Sequence, residues 1–268
     1  MKKVLKTILA ILTIFFFIAY PVSAANTHSA TLVAASSQYF TATDSVSLSL
    51  TENNTLEFWI KLTSQPASDA YMFLINKDDI ASQRSYGLTY YDAAGTQKIA
   101  LYLFQTLTAT IYSVVAFTYT LPIGTWTHLA IVTTIANPVA TKCELFINGI
   151  SQGNGVGTDV GGGATSIADG TAILQLGARA AGEYLDAQID DVRIWNIVRT
   201  AAQIDANKAV EIDSATNLQA SWHLNNVLTD SSGNANTLTA VNSPTFSTDV
   251  PFVGAVPPSQ ESDLIIFE

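Results

Sequence analysis

Adjacent carboxylates at Asp190 and Asp191 stand inside Ala187-Gln188-Ile189-Asp190-Asp191-Val192-Arg193-Ile194-Trp195-Asn196, a run that otherwise reads as a β-strand. Two carboxylates can exchange a proton with a substrate or hold a hard cation. A catalytic pair must face a shared cleft at about 5–9.5 Å, whereas successive strand residues point to opposite faces. Strict alternation therefore separates the two. It sets Asp191 beside Arg193, where a surface ion pair is natural. It sets Asp190 on the face of Val192 and Ile194, where a carboxylate is costly unless paired, hydrogen-bonded or metal-bound.

A second oxygen-rich group is Asp230-Ser231-Ser232-Gly233-Asn234. Its side chains at i, i+2 and i+4 have the spacing by which a loop wraps Ca²⁺, and the same residues also suit an Asx-type turn with Gly233 left-handed. Asp190, Asp230, Ser232 and Asn234 are the candidate metal ligands, with Ca²⁺ as the ion they would take. Aromatic rings are the third group. Trp59, Tyr86, Tyr90 and Trp195 are the candidate ligand-binding residues, with Tyr91 and Tyr102 as further faces, because flat rings with a polar edge suit amphipathic sugars. Core packing is the competing use of each Trp. Asp78-Asp79 reads as an exposed turn. His28, His128 and His223 lack metal-motif spacing, so an enzyme is not expected.

These groups must be positioned by short strands. Thr55-Leu56-Glu57-Phe58-Trp59-Ile60-Lys61-Leu62 alternates with period two and puts Leu56, Phe58, Ile60 and Leu62 on one face. Further strands are expected at 71–76, 86–91, 98–105, 111–119, 127–134, 143–148, 173–178, 187–195, 218–224 and 236–241. Asn148-Gly149 is a two-residue hairpin signal. The Gly-, Ser- and Thr-rich stretch 154–170 reads as a long loop. One helix is expected, from Thr200 to about Val210, opened by the capping box Thr200-Ala201-Ala202-Gln203. Many short strands with one brief helix mean an all-β fold, a two-sheet antiparallel jelly-roll sandwich.

The N-terminus sets the expected compartment. Lys2, Lys3 and Lys6 precede an apolar run and then Val22-Ser23-Ala24, the order of a secretory signal peptide over 1–24. The apolar run is short for a membrane-spanning helix. A secreted or cell-surface protein with no stable membrane span is the expectation. With 12 Lys+Arg against 22 Asp+Glu, the surface argues against nucleic acid, whose binding depends on basic side chains. Cys143 is the sole cysteine, so no intrachain disulfide forms.

Several stretches together resemble the laminin-G-like, concanavalin A-like jelly roll of secreted bacterial and pentraxin-type proteins. They are Ser37-Gln38-Tyr39-Phe40, Leu56-Glu57-Phe58-Trp59, Gly124-Thr125-Trp126-Thr127-His128, Leu145-Phe146-Ile147-Asn148-Gly149, Ile189 to Asn196, and Leu218-Gln219-Ala220-Ser221-Trp222-His223-Leu224. The resemblance spans roughly 28–250, leaving 251–268 as a tail or linker. It implies a Ca²⁺ near a sheet rim and a binding module for carbohydrate or another extracellular ligand. The alternatives are a structural or adhesive surface protein acting through protein contacts and, more distantly, a polysaccharide-active enzyme. The glucanases of this fold carry Glu-x-Asp-x-Glu, and Glu211-Ile212-Asp213 lacks the third acid.

Overall fold

The computed structural model describes residues 25–135, 142–179 and 182–253. The expected leader, and the tail from 254 onward, lie outside the described residues. The rest forms two packed antiparallel sheets of eight strands each. The first sheet runs β10 (Ile150–Asn154), β9 (Cys143–Ile147), β8 (Thr127–Thr133), β3 (Asn54–Leu62), β13 (Ala187–Trp195), β1 (Ser29–Leu32) and β16 (Thr245–Ser247), with β14 (Leu218–Trp222) also on β13. The second runs β11 (Val156–Val160), β7 (Tyr112–Thr118), β6 (Thr96–Phe104), β5 (Arg84–Ala93), β4 (Tyr71–Asp78), β12 (Leu174–Leu176), β2 (Tyr39–Ala42) and β15 (Thr239–Val241).

Alternation builds the core between them. Leu56, Phe58, Ile60 and Leu62 of β3 face Leu88 of β5 and Ile99, Leu101 and Leu103 of β6 within one apolar cluster, all nearly inaccessible. Trp222 is fully buried in the same cluster and donates its indole N–H to Asn236 O at 2.7 Å.

Both flanks are closed by chain that passes from one sheet to the other. One crossing is at Gly155, between β10 and β11, where a Cβ would lie 2.4 Å from Val115 Cγ1. The stretch expected to be a loop therefore contains edge strand β11, whose polar, Gly-containing sequence hides its pairing with β7. The other crossing joins β15 to β16, where one strand was expected at 236–241. The Asn148-Gly149 turn has φ of 51° and 82°, the double positive φ of a hairpin turn.

Helix α1 (Ala201–Asn207) is shorter than expected, with the Thr200–Gln203 capping box formed in both directions. Its Ile204 packs with Ala130, Val132 and Phe146 on the outer face of the first sheet. No helix among the described residues is long and apolar enough to cross a membrane.

Candidate functional site

The acidic pair sits where β13 changes partner. One side of β13 pairs with β3 throughout; the other is shared end to end by β1, through Ala30–Ile189, and β14, through Val192–Trp222. At that junction the register against β3 slips between Asp190 and Arg193, a β-bulge, and Asp191 takes φ of 45°. Ile189 and Val192 both remain in the core. The bulge therefore overturns the separation expected from strict alternation: Asp190, opposite Trp59, and Asp191 both leave the strand away from the inter-sheet core.

Neither carboxylate is accessible, both being 0 % exposed. Asp190 accepts from Asn26 Nδ2 at 2.8 Å and from the Asp191 amide at 2.9 Å. Burial, with the charges of Asp191 and Glu211 adding to it, pushes its pKa up to about 8. Asp191 pairs with Arg193 at 2.9 Å, a buried rather than surface bridge. Its other oxygen lies 3.3 Å from His223, which also meets Asp213 at 3.0 Å. Burial opposes the charge on His223, but Asp191, Asp213 and Glu211 outweigh it and raise its pKa to about 9.

One strand over, Glu57 anchors the same layer. It accepts from Trp195 Nε1 at 2.7 Å and from Arg199 at 2.6 Å, with Arg193 at 3.6 Å. Burial alone would raise its pKa; the two guanidiniums and the indole N–H reverse the sign. Arg193 donates to Asn207 O and Arg199 to Gln203 O, so the network clamps α1 to the sheet. His128 is held neutral, its pKa pushed down to about 3 by burial. This region is a buried electrostatic anchor.

The expected sites are redistributed accordingly. Trp59 donates to Lys208 O and stands edge-on to His128; Trp195 lies under Arg199, 4.2 Å from its guanidinium. Tyr86 donates to Leu48 O and Tyr90 to Gln65 Oε1, both inside the sandwich. All four are at most 8 % exposed, and a buried ring cannot stack on a sugar. The expected calcium set also separates. Asp230 accepts from the amides of Ser221, Ser232 and Asn236, and Asn234 Nδ2 donates to Leu218 O and Gln219 O. That donor pattern fits an Asx-type turn rather than a cation loop. Among the described residues no group of three or more His, Cys, Asp or Glu side chains is placed to hold a metal ion. Near Asp190, Asn26 Oδ1 is buried with no donor. Asp78 and Asp79 accept backbone N–H groups of their own turn.

A group of partly exposed rings lies on the outer face of the second sheet. Register sets Tyr71, Tyr91, Lys98 and Thr118 in one transverse row, and Asn76, Gly87, Tyr102 and Val114 in another. Tyr71 and Tyr91 stack at 4.9 Å and 10°, and Tyr102 stacks with Phe104 at 6.2 Å and 16°. Between them Gly87, Thr89 and Ala100 are buried, and Phe73 and Phe104, 1 % and 3 % exposed, are covered by Arg179 and Arg84, so this face presents its tyrosines. Along a strand the two ring groups are four residues, or about 13 Å, apart. Tyr71 is 36 % exposed, and Tyr91, Tyr102 and Tyr112 are half-buried. Arg179 lies 4.2 Å over Phe73 and pairs with Glu183, and Arg84 lies 5.3 Å over Phe104. Burial keeps the phenols of Tyr91 and Tyr102 protonated. Reading the rings without the register misses Tyr71 and Tyr112; the period-two spacing of Tyr71 with Phe73 was the available signal for the first.

Comparison with known proteins agrees with this architecture. A solved structure from Bacteroides ovatus ATCC 8483, provisionally assigned to carbohydrate binding, superposes with a TM-score of 0.58 at 18% identity, over 84% of this chain and 61% of that one. This chain thus spans less than two thirds of that protein. A heptameric SAP-like pentraxin from Limulus polyphemus superposes with a TM-score of 0.54 at 12% identity, over 82% of this chain and 94% of that one. No curated protein matches the sequence. A family model matches residues 34–205, more than half of the chain, which therefore belongs to the concanavalin A-like lectin/glucanases superfamily.

Proposed function

We propose that the protein is an extracellular binding module that takes a glycan along the outer face of its second sheet. The observation that carries this reading is the set of partly exposed tyrosines on that face, Tyr71 stacked on Tyr91, with Tyr102 about 13 Å further along the strands. Rings flush with a sheet face offer sugar C–H surfaces a flat apolar partner, and their phenol O–H groups serve sugar hydroxyls. The provisional carbohydrate-binding assignment of the Bacteroides structure points the same way, and the N-terminal leader pattern supports secretion. Recognition is favoured over hydrolysis because Asp78 and Glu183, acids flanking this face, are each paired with an arginine.

A glycan array followed by calorimetry tests the reading. Tyr91→Ala and Tyr102→Ala should each weaken binding about 2–12-fold, the worth of one aromatic contact, without lowering the melting temperature by more than a few degrees. Unchanged affinity in both variants would remove the tyrosine face as the site. Calcium belongs to the same proposal only at Asp190 and Asn26 Oδ1, with backbone carbonyls and water completing its shell. It would then brace the first sheet, so chelation should lower the melting temperature and leave glycan affinity unchanged. A second reading, adhesion through protein contacts, is favoured by edge residues Ile150 and Val156, exposed by 67 % and 81 %. Concentration-dependent self-association abolished by Val156→Lys would support it.

A further inference from the structure

Where β10 passes into β11, a cleft of about 560 Å³ opens beside the Tyr91 end of the tyrosine face. Its polar lining is Lys98, Thr118, Gln152, Asn154 and Thr158, with the Tyr91 ring beside them. No carboxylate lines it, although the chain carries 22 Asp+Glu against 12 Lys+Arg. The neighbouring acids are turned elsewhere. Asp159, next to Thr158, accepts from Ser113, and Asp92, next to Tyr91, accepts from the Gly95 amide and Gln97.

Lys98 is the distinctive group. Lys61, Lys77 and Lys208 each pair with a carboxylate; Lys98 and Lys142 form no ion pair among the described residues, and of these two Lys142 is exposed and Lys98 is half-buried. It lies between Tyr91 and Thr118 in the strand register. An ammonium beside an aromatic face, surrounded by neutral amides and hydroxyls and shielded from the protein's own acids, is a receptor for an anion carried on a polar ring. We propose that this cleft binds an acidic saccharide, a pyranose bearing a carboxylate or sulfate, with Lys98 meeting the anion and Tyr91 the ring. The inference rests on the glycan reading and narrows it. The excess negative charge of the protein opposes approach at long range, but at physiological salt that repulsion is screened beyond about 8 Å, which leaves the local ammonium to decide.

The test uses matched probes at physiological salt: trigalacturonate against its fully methyl-esterified form, and a sulfated chondroitin disaccharide against its desulfated, carboxyl-methylated form. At least one acid should bind about tenfold or more tighter than its neutral counterpart, as one charge-assisted hydrogen bond provides. The two arms distinguish carboxylate from sulfate. Lys98→Gln should erase that preference, bringing acid and neutral probes to the same affinity, and Lys98→Arg should keep most of it. Equal binding of acid and ester in both arms would overturn the acidic preference and leave glycan recognition standing. Acid preference that survives Lys98→Gln would overturn the assignment of the anion to this cleft. No binding of any probe, acidic or neutral, would count against both the acidic preference and the glycan reading.

Discussion

Glu57→Leu removes the counter-charge of two buried guanidiniums without disturbing the inter-sheet core, because Glu57 points to the outer face. Arg193 and Glu57 are 0 % exposed and Arg199 is 5 % exposed. Removing Glu57 leaves Arg199 charged without a carboxylate in a dry site, while Arg193 keeps Asp191 at 2.9 Å, and the loss should be about 3–5 kcal/mol. The lost acceptor for Trp195 Nε1 acts in the same direction. For a domain of this size each kcal/mol is worth about 2–4 °C, so the melting temperature should fall by roughly 6–20 °C. Glu57→Gln keeps an acceptor for Trp195 and Arg199 and loses only the charge, so its loss should be distinctly smaller. Because Arg193 and Arg199 also hold the carbonyls of Asn207 and Gln203, docking of α1 should loosen first. Urea and thermal melts followed by tryptophan fluorescence and near-ultraviolet circular dichroism read both effects, since Trp195 reports on the site itself. A Glu57→Leu protein within about 1 kcal/mol of wild type would refute the reasoning. It would mean that water reaches the guanidiniums and that the layer under α1 is not dry.

The pH dependence of stability should be dominated by Asp190 and His223 on the alkaline side. Asp190 has a folded pKa of about 8, raised from 3.8, so its contribution is full below about pH 4 and is lost as pH rises through 8, on the order of 4 kcal/mol by pH 7. His223 is raised from 6.5 to about 9, so its contribution is full below pH 6.5 and is lost between 6.5 and 9. Urea melts of Asp190→Asn with chelator present should match wild type near pH 4 and exceed it at pH 7–8; a less stable variant at pH 8 would show that the carboxylate is ionised and welcome. Thr200→Ala removes the acceptor for the Gln203 amide and half of the capping box, so it should cost about 1 kcal/mol. A loss above about 3 kcal/mol would mean that α1 has a larger part in the fold than its single buried Ile204 suggests.

Most of the architecture was legible from period-two alternation and turn chemistry. The alternation of β3, the Asn148-Gly149 hairpin and the Thr200–Gln203 cap appear in the structure as residue types dictate, because each depends on neighbours close in the chain. Edge strand β11 and the β15–β16 crossing were not legible. Their pairing compensates for weak local preference, and the partners lie 40 or more residues away in sequence. The site was less legible still. Tyr90 and Tyr91 are equivalent in composition, yet one donates to Gln65 inside the sandwich and the other stacks on Tyr71 outside it.

What the sequence by itself determined is the family of folds, the strongly acidic balance and the absence of a disulfide, since these follow from composition and short-range pattern. What the tertiary structure decided is where Asp190 and Asp191 go. Alternation assigns them to opposite faces, but β13 passes from β1 to β14 at that point and takes up the change of partner as a bulge. A bulge shifts the parity of every residue beyond it, and it is set by which strands meet there. Two strands distant in sequence therefore turned an apparent opposed pair into a buried anchor on one face.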